Sequence, residues 1–187
     1  MKKLLLAACV STSLLGACAT SMPSAPMNAP MVGGAAMYPS KDIVDNAVNS
    51  KDHTTLVAAV KAAGLVPTLK GAGPFTVFAP TNAAFAALPA GTVDNLLKPE
   101  NKAALTKVLT YHVVAGKLET AALIKAVDAG GGKATLTEVS GGTLTVTKSG
   151  TMIMLSDESG GMAHVTIPDV VQSNGVIHVV DKVLLPK

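Results

Sequence analysis

Three sets of residues in this 187-residue chain have side chains and spacings that could do chemistry. Met152-x-Met154 and Met162-x-His164 stand on either side of a Gly-rich turn. Thioether sulfur with imidazole suits a soft ion such as Cu(I). Register decides whether they converge: if Leu155 faces Met162, the two pairs point apart, whereas a slip of one residue puts all four on one face. Methionine as core filler is the commoner use, so neither a metal nor another cofactor is expected. Ser173, His178 and Asp181, with His112 as a spare base, supply the residue types of a hydrolytic triad. His178 and Asp181 are odd-spaced along one run, however, which sends them to opposite faces of a strand. No Gly-x-Ser-x-Gly turn exists to present a nucleophile, and no strand clusters two acids. The expectation is a protein without catalysis.

The third set is the pair of cysteines, Cys9 and Cys18, both near the N-terminus. Lys2 and Lys3 precede an apolar run from Leu4 to Leu15, the pattern of a secretory leader and too short for a permanent span. Ala17-Cys18-Ala19 suits ordinary signal peptidase, which would release a secreted protein. Leu15-Gly16-Ala17-Cys18 resembles the bacterial lipobox, and this is the preferred reading: residues 1–17 form a lipoprotein signal peptide and Cys18 is acylated. Several acyl chains together give firm anchoring. With Ala19 next and no Asp retention signal, the outer membrane is the expected address. Neither cysteine then remains for a disulfide. Residues 18–40, rich in Pro, Ala, Ser, Gly and Met, read as a flexible tether. Its irregularly spaced Met22, Met27, Met31 and Met37 lack a nearby histidine and are not expected to bind metal.

Composition removes other classes. All fifteen basic residues are lysine, Trp is absent, and the aromatics are Tyr38, Tyr111, Phe75, Phe78 and Phe85 alone. Bidentate Arg readout and aromatic base stacking are both missing, so nucleic acid is not an expected partner. The formal net charge is +3, and losing Lys2 and Lys3 with the leader would leave +1.

From Lys41 onward the chain reads as one domain. Ser40 or Asp42 can cap a helix reaching Asn49, and Leu56, Val60 and Ala63 recur at helical spacing before Gly64. Phe75–Ala79 reads as a strand ended by Pro80, after which Thr81 can cap a helix holding Ala84, Phe85 and Leu88. Further helices start at Thr92 and Pro99, the latter turning Leu105, Val108 and Leu109 inward. Tyr111–Val114 reads as a short strand ended by Gly116. Residues 134–139 and 143–147 form one expected hairpin, and 151–155 and 162–167 a second. Val176–Val180 is nearly continuous apolar, as for a strand covered on both faces. Helices first and strands later indicate an α+β fold.

Gly73-Pro74-Phe75-Thr76-Val77-Phe78-Ala79-Pro80-Thr81-Asn82-Ala83-Ala84-Phe85 resembles the first signature segment of the fasciclin domain. Tyr111-His112 is similar to that family's central motif. Ser173-Asn174-Gly175-Val176-Ile177-His178-Val179-Val180-Asp181-Lys182-Val183-Leu184-Leu185-Pro186 is similar to its second segment. The resemblance covers residues 41–187 and implies a wedge-like pair of β-sheets with helices packed alongside. It also implies surface adhesion or interaction without an established catalytic chemistry. The motif residues Thr76, Phe78, Pro80, Thr81, Asn82, Phe85, Asn174, Gly175, His178 and Asp181 have structural reasons first. Thr81 can cap a helix, Asn82 can satisfy nearby backbone donors, and Asn174-Gly175 marks a turn. Animal members use a Pro-Asp-Ile-like segment and the Tyr-His region in integrin adhesion, which makes Tyr111, His112, Pro168, Asp169 and Val170 the candidate contact residues. The expected partner is a cell-surface or matrix protein or polysaccharide, with the membrane engaged through Cys18. The alternative is a periplasmic carrier of lipid or metal, which would need a deep apolar pocket.

Overall fold

The folded chain begins earlier than the tether expectation allows. The computed structural model describes residues 29–89 and 91–186; the expected leader, Cys18 and the expected tether up to residue 28 lie outside the described residues. Gly33 and Gly34 both take positive φ, +58° and +76°, as a two-residue type I′ turn demands. β1 (Met31–Val32) therefore folds back on β2 (Ala35–Ala36). Val32 and Met37 are each only 2% exposed, and the Lys51 N–H donates to the Gly33 carbonyl at 3.2 Å. The domain boundary expected at residue 41 is thus corrected to about residue 30. Two apolar side chains held by a Gly-Gly turn gain burial that outweighs the freedom of a loose tether.

Asp42 caps α1 (Ile43–Ala47), its Oδ1 accepting the Asp45 N–H at 2.7 Å. α2 (Thr54–Ala63) buries Leu56, Val60 and Ala63 and stops at Gly64 in the left-handed conformation. α3 (Val66–Leu69) leads to β3 (Phe75–Pro80), then α4 (Asn82–Ala86), α5 (Thr92–Leu97) and α6 (Lys102–Tyr111). The strand expected from Tyr111 starts later, because Tyr111 ends α6 and His112 caps it; β4 is Val113–Ala115. α7 (Thr120–Ala129) fills a stretch where the sequence reading placed no element, burying Leu123 and Val127 one helical turn apart. β5 (Lys133–Thr137), β6 (Thr143–Ser149), β7 (Met152–Ser156), β8 (Met162–Gln172) and β9 (Gly175–Val180) follow. The two expected hairpins are one meander, since β6 also pairs with β7.

The strands lie in the order β4-β3-β9-β8-β7-β6-β5, antiparallel except for the parallel β3–β9 pair. β8 spans 11 residues and breaks register between Val165 and Ile167 and again before Val170. Its first part pairs with β7 and the remainder with β9, so the bulges bend one strand from one sheet into the next. This is the α+β pair of sheets that the resemblance implies. Central strands alternate between two cores. Val77, Ala79, Val113, Ile177 and Val179 face the helices α1–α6. Phe78, Val114 and Val180 face the second core with Leu123, Val127, Leu144 and Leu155. Every residue of β9 is buried, as its nearly continuous apolar run suggests, with His178 the one polar side chain in it.

Candidate functional site

The first signature segment is a set of braces. Thr76 is fully buried; its hydroxyl donates to the Gly116 carbonyl at 2.6 Å and accepts the Leu118 N–H at 2.8 Å. Thr81 caps α4 through Ala84 N–H at 3.2 Å, and Pro80 closes β3 opposite Val180. Phe78 and Phe85 fill the two cores. Asn82 differs from expectation: its partners are remote in sequence. It accepts the Thr55 N–H at 3.0 Å and donates to the Lys51 carbonyl and the Thr54 hydroxyl, pinning the start of α2.

Tyr111 and His112 are 0% and 2% exposed, which overturns their candidacy as contact residues. The Tyr111 hydroxyl donates to the Thr143 carbonyl at 2.8 Å and accepts the Glu158 N–H at 3.3 Å. Burial drives its pKa up to about 12. The partners of His112 define its tautomer: Nδ1–H donates to the Val108 carbonyl at 2.8 Å, and Nε2 accepts the Leu184 N–H at 3.0 Å. Burial drives this imidazole down to about 4, so it is neutral. Both rings clasp distant strands and the C-terminal segment rather than facing a partner.

Asn174 sits in the two-residue turn between β8 and β9. It accepts the Ile43 N–H at 3.1 Å and donates to the Leu69 carbonyl at 2.7 Å, joining the ends of α1 and α3. Gly175 lies against β3. His178 has the opposite tautomer to His112, with Nε2–H donating to the Leu118 carbonyl at 2.8 Å and Nδ1 accepting the Asp169 N–H at 3.3 Å. Its ring stacks on Phe78 at 5.6 Å, and burial lowers its pKa. Both ring nitrogens of His178 are thereby engaged by backbone groups.

The bulge in β8 turns Pro168 and Asp169 outward and Val170 inward; Val170 is fully buried, which corrects its assignment as a contact residue. Asp169 is exposed at φ +54° and its Oδ1 accepts the Thr120 N–H at 2.7 Å, satisfying the first turn of α7. Asp169→Ala is expected to cost about 1–2 kcal/mol through the lost cap and the left-handed backbone. Asp169→Asn, which tolerates that backbone and keeps an acceptor, is expected to stay within about 0.5 kcal/mol of the parent in chemical denaturation. Any partner that loses affinity for the Asn variant then reads the charge itself.

Three polar arrangements escaped the sequence reading. Asn46 is fully buried and pairs through its amide with both the Tyr38 backbone and Gln172. Asp181 accepts both the backbone N–H and the Nδ1 of His164, at 2.7 and 2.9 Å. Burial pushes the Asp181 carboxyl up, but these bonds and nearby positive charge outweigh it and hold it below its ordinary range. Glu138 is 4% exposed; Ser140 donates to its Oε2 at 2.9 Å, while Oε1 has no hydrogen-bond partner among the described residues. Burial pushes this carboxyl up to about 7. The signal for Glu138 was weak: one acid just past an alternating strand, before Gly141-Gly142.

The interior offers little space. A cavity lined by Val44, Leu56, Val60, Val77, Leu109 and His112 holds about 40 Å³, room for a water or two. A hollow of about 370 Å³ beside Pro74, Lys117 and Asn174 is open and partly polar. No three His, Cys, Asp or Glu side chains cluster for a metal among the described residues, and no helix among them is long and apolar enough to cross a membrane.

Comparison with known proteins agrees with this geometry. A family profile described as the fasciclin domain matches residues 51–186. The chain is 49% identical over 158 residues to protein sll1483 of Synechocystis, covering 83% of this chain and 79% of that protein. It is 33% identical to the cell surface glycolipoprotein MPB83 of Mycobacterium bovis, covering 90% of this chain and 70% of the relative. The FAS1 domain pair of the insect cell adhesion molecule fasciclin I superposes with a TM-score of 0.69 at 18% identity, over 79% of this chain and 52% of that one. Signature side chains spent on internal braces, a bent pair of sheets and the extent of these matches lead to one assignment: the chain belongs to the fasciclin domain family.

Proposed function

We propose that this protein is an exported, lipid-anchored module that binds a cell-surface or matrix protein or polysaccharide and carries out no catalysis. One observation carries the reading. The signature side chains are engaged in bonds and packing within the domain, and the apolar cavity beside α2 holds only about 40 Å³, so recognition falls to the outer surface. Lipid carriage would need an enclosed pocket nearer several hundred Å³. Members of this family are generally non-catalytic adhesion-type modules. The lipobox-like Leu15-Gly16-Ala17-Cys18 and the naming of a mycobacterial relative as a cell surface glycolipoprotein support acylation of Cys18 and export. Residues 19–29 can reach at most about 40 Å, so the domain stays near the membrane and weak contacts gain from many anchored copies. Pro168 and Asp169, exposed on the β8 bulge, are the proposed contact residues.

The test is labelling of intact cells with a membrane-impermeant reagent, followed by crosslinking and identification of the captured partner. Labelling of intact cells is expected, with Cys18→Ala moving the protein from the membrane to the soluble fraction. Labelling only after lysis overturns the surface assignment, and a Cys18→Ala protein that stays with the membrane overturns the anchor.

A further inference from the structure

The outer face of the β7–β8 pair gathers soft donor atoms. The register, undecided in the sequence, places Leu155 opposite Ala163, and therefore Met154 opposite His164 and Ser156 opposite Met162. Residues two apart share a face, so Met152, Met154, Met162 and His164 all point the same way. The intervening Ile153, Leu155, Ala163 and Val165 are buried in the second core. Met152 is 53% and Met162 45% exposed, so neither serves as the core filler that methionine usually is. An independent feature singles out the histidine. Asp181 Oδ2 lies 2.9 Å from His164 Nδ1, while the other Asp181 oxygen takes the His164 backbone N–H. A carboxylate holding Nδ1–H fixes the ring and leaves the Nε2 lone pair for another partner, the arrangement that stands behind metal-bound imidazoles. The His164 side chain is 37% exposed on the face it shares with the methionines.

We propose that this face binds one Cu(I) ion, with His164 Nε2 and Met154 Sδ as the central ligands. Side chains directly opposite in an antiparallel pair have Cβ atoms about 5 Å apart, within joint reach of one ion. Met162 lies diagonal to Met154 and Met152 diagonal to His164, each about 7 Å away and within reach of a flexible thioether. The two outer methionines stand four residues apart along the strands, roughly 13 Å. One or the other completes a three-coordinate site, but not both. The donors are neutral and soft, which selects Cu(I) over Zn²⁺ or harder cations, and Asp181 supplies the balancing negative charge behind the imidazole. No electron transfer is involved.

The experiment is anaerobic competition of the purified protein against Cu(I) buffered with bicinchoninate, alongside NMR of ¹³C-methyl methionine. One equivalent is expected to transfer, shifting the Met154 methyl signal. Met154→Leu and His164→Asn should each weaken binding at least tenfold, and Asp181→Asn about tenfold. Met152→Leu or Met162→Leu alone should lower affinity only a few-fold, and both together should match Met154→Leu. Unchanged thermal unfolding of the surface variants Met152→Leu and Met162→Leu separates ligand loss from misfolding. Failure of the protein to draw Cu(I) from bicinchoninate overturns the proposal. So does undiminished binding in both Met154→Leu and His164→Asn, which would move the ion to the methionines of residues 22–37.

Discussion

Gly175→Ala is expected to abolish stable folding, while Gly150→Ala is expected to cost about 1–2 kcal/mol. A Cβ on Gly175 would sit 2.0 Å from the carbonyl oxygen of Phe75 and 2.9 Å from its carbon, with Ile43 Cδ1 at 3.1 Å. The obstacle is backbone of the neighbouring strand, so no rotamer change can relieve it. β3 and β9 are paired in parallel from Phe75 opposite Gly175 to Pro80 opposite Val180, and moving one means breaking the central ladder. Overpacking backbone against backbone at the heart of a sheet belongs with the exceptional losses, above about 4 kcal/mol. Gly150 has φ +64° and open space around it, so its alanine variant meets only the left-handed backbone penalty. Urea unfolding and the dispersion of the amide NMR spectrum measure both. A Gly175→Ala protein that folds with a loss under about 2 kcal/mol would show that the two strands can separate cheaply.

Glu138→Gln is expected to stabilise the protein at pH 8 and to leave it nearly unchanged at pH 4.5. In the folded chain this carboxyl titrates at about 7 against an ordinary 4.5. The folded state therefore holds a proton that the unfolded state has lost, and the stability this carries is present below about 4.5 and lost as pH rises through 7. A neutral amide of the same shape never meets that loss, so the difference at pH 8 should reach roughly 1–3 kcal/mol. His112 acts with the opposite sign. Its folded pKa of about 4 lies below the ordinary 6.5, so the unfolded state takes up the proton first, and stability falls as pH drops from 6.5 towards 4. That loss is about 3 kcal/mol, and buried His178 and His53, both lowered, act in the same direction. In the parent the two slopes oppose each other between pH 4.5 and 6.5; in Glu138→Gln the histidine slope stands alone and is steeper. Denaturation series at several pH values read this directly. An equal Glu138→Gln effect at pH 4.5 and pH 8 would mean that the carboxyl does not carry a buried proton.

Legibility in the sequence followed the range of the interactions. The caps from Asp42 and Thr81, the stop at Gly64 and the buried stripe of α2 are set within one or two helical turns, and each appears as spaced. β1 and β2 went unseen because a pair of two-residue strands has no period to detect. α7 went unseen although Leu123 and Val127 mark its inner face, because two buried residues in an alanine-rich run give only a short apolar stripe. The candidate contacts divided for a different reason. Tyr111 and His112 sit in an apolar stretch that could face either way until their partners, Thr143 and Leu184, are in place.

The sequence by itself determined the α+β class, the caps of α1 and α4, the stop of α2 and the family, because capping, turn chemistry and apolar periodicity act between near neighbours. Only the tertiary structure decided which faces meet. It turned Pro168 and Asp169 outward and Val170 inward, aligned Met154 with His164, and placed Asn174 against the start of α1, 131 residues away. Such outcomes depend on a strand register and on long-range packing, where shifting by a single residue reverses every side chain. The chemistry residues named at the outset were all visible in the sequence; the one-residue alignment of β7 with β8 is what makes four of them neighbours.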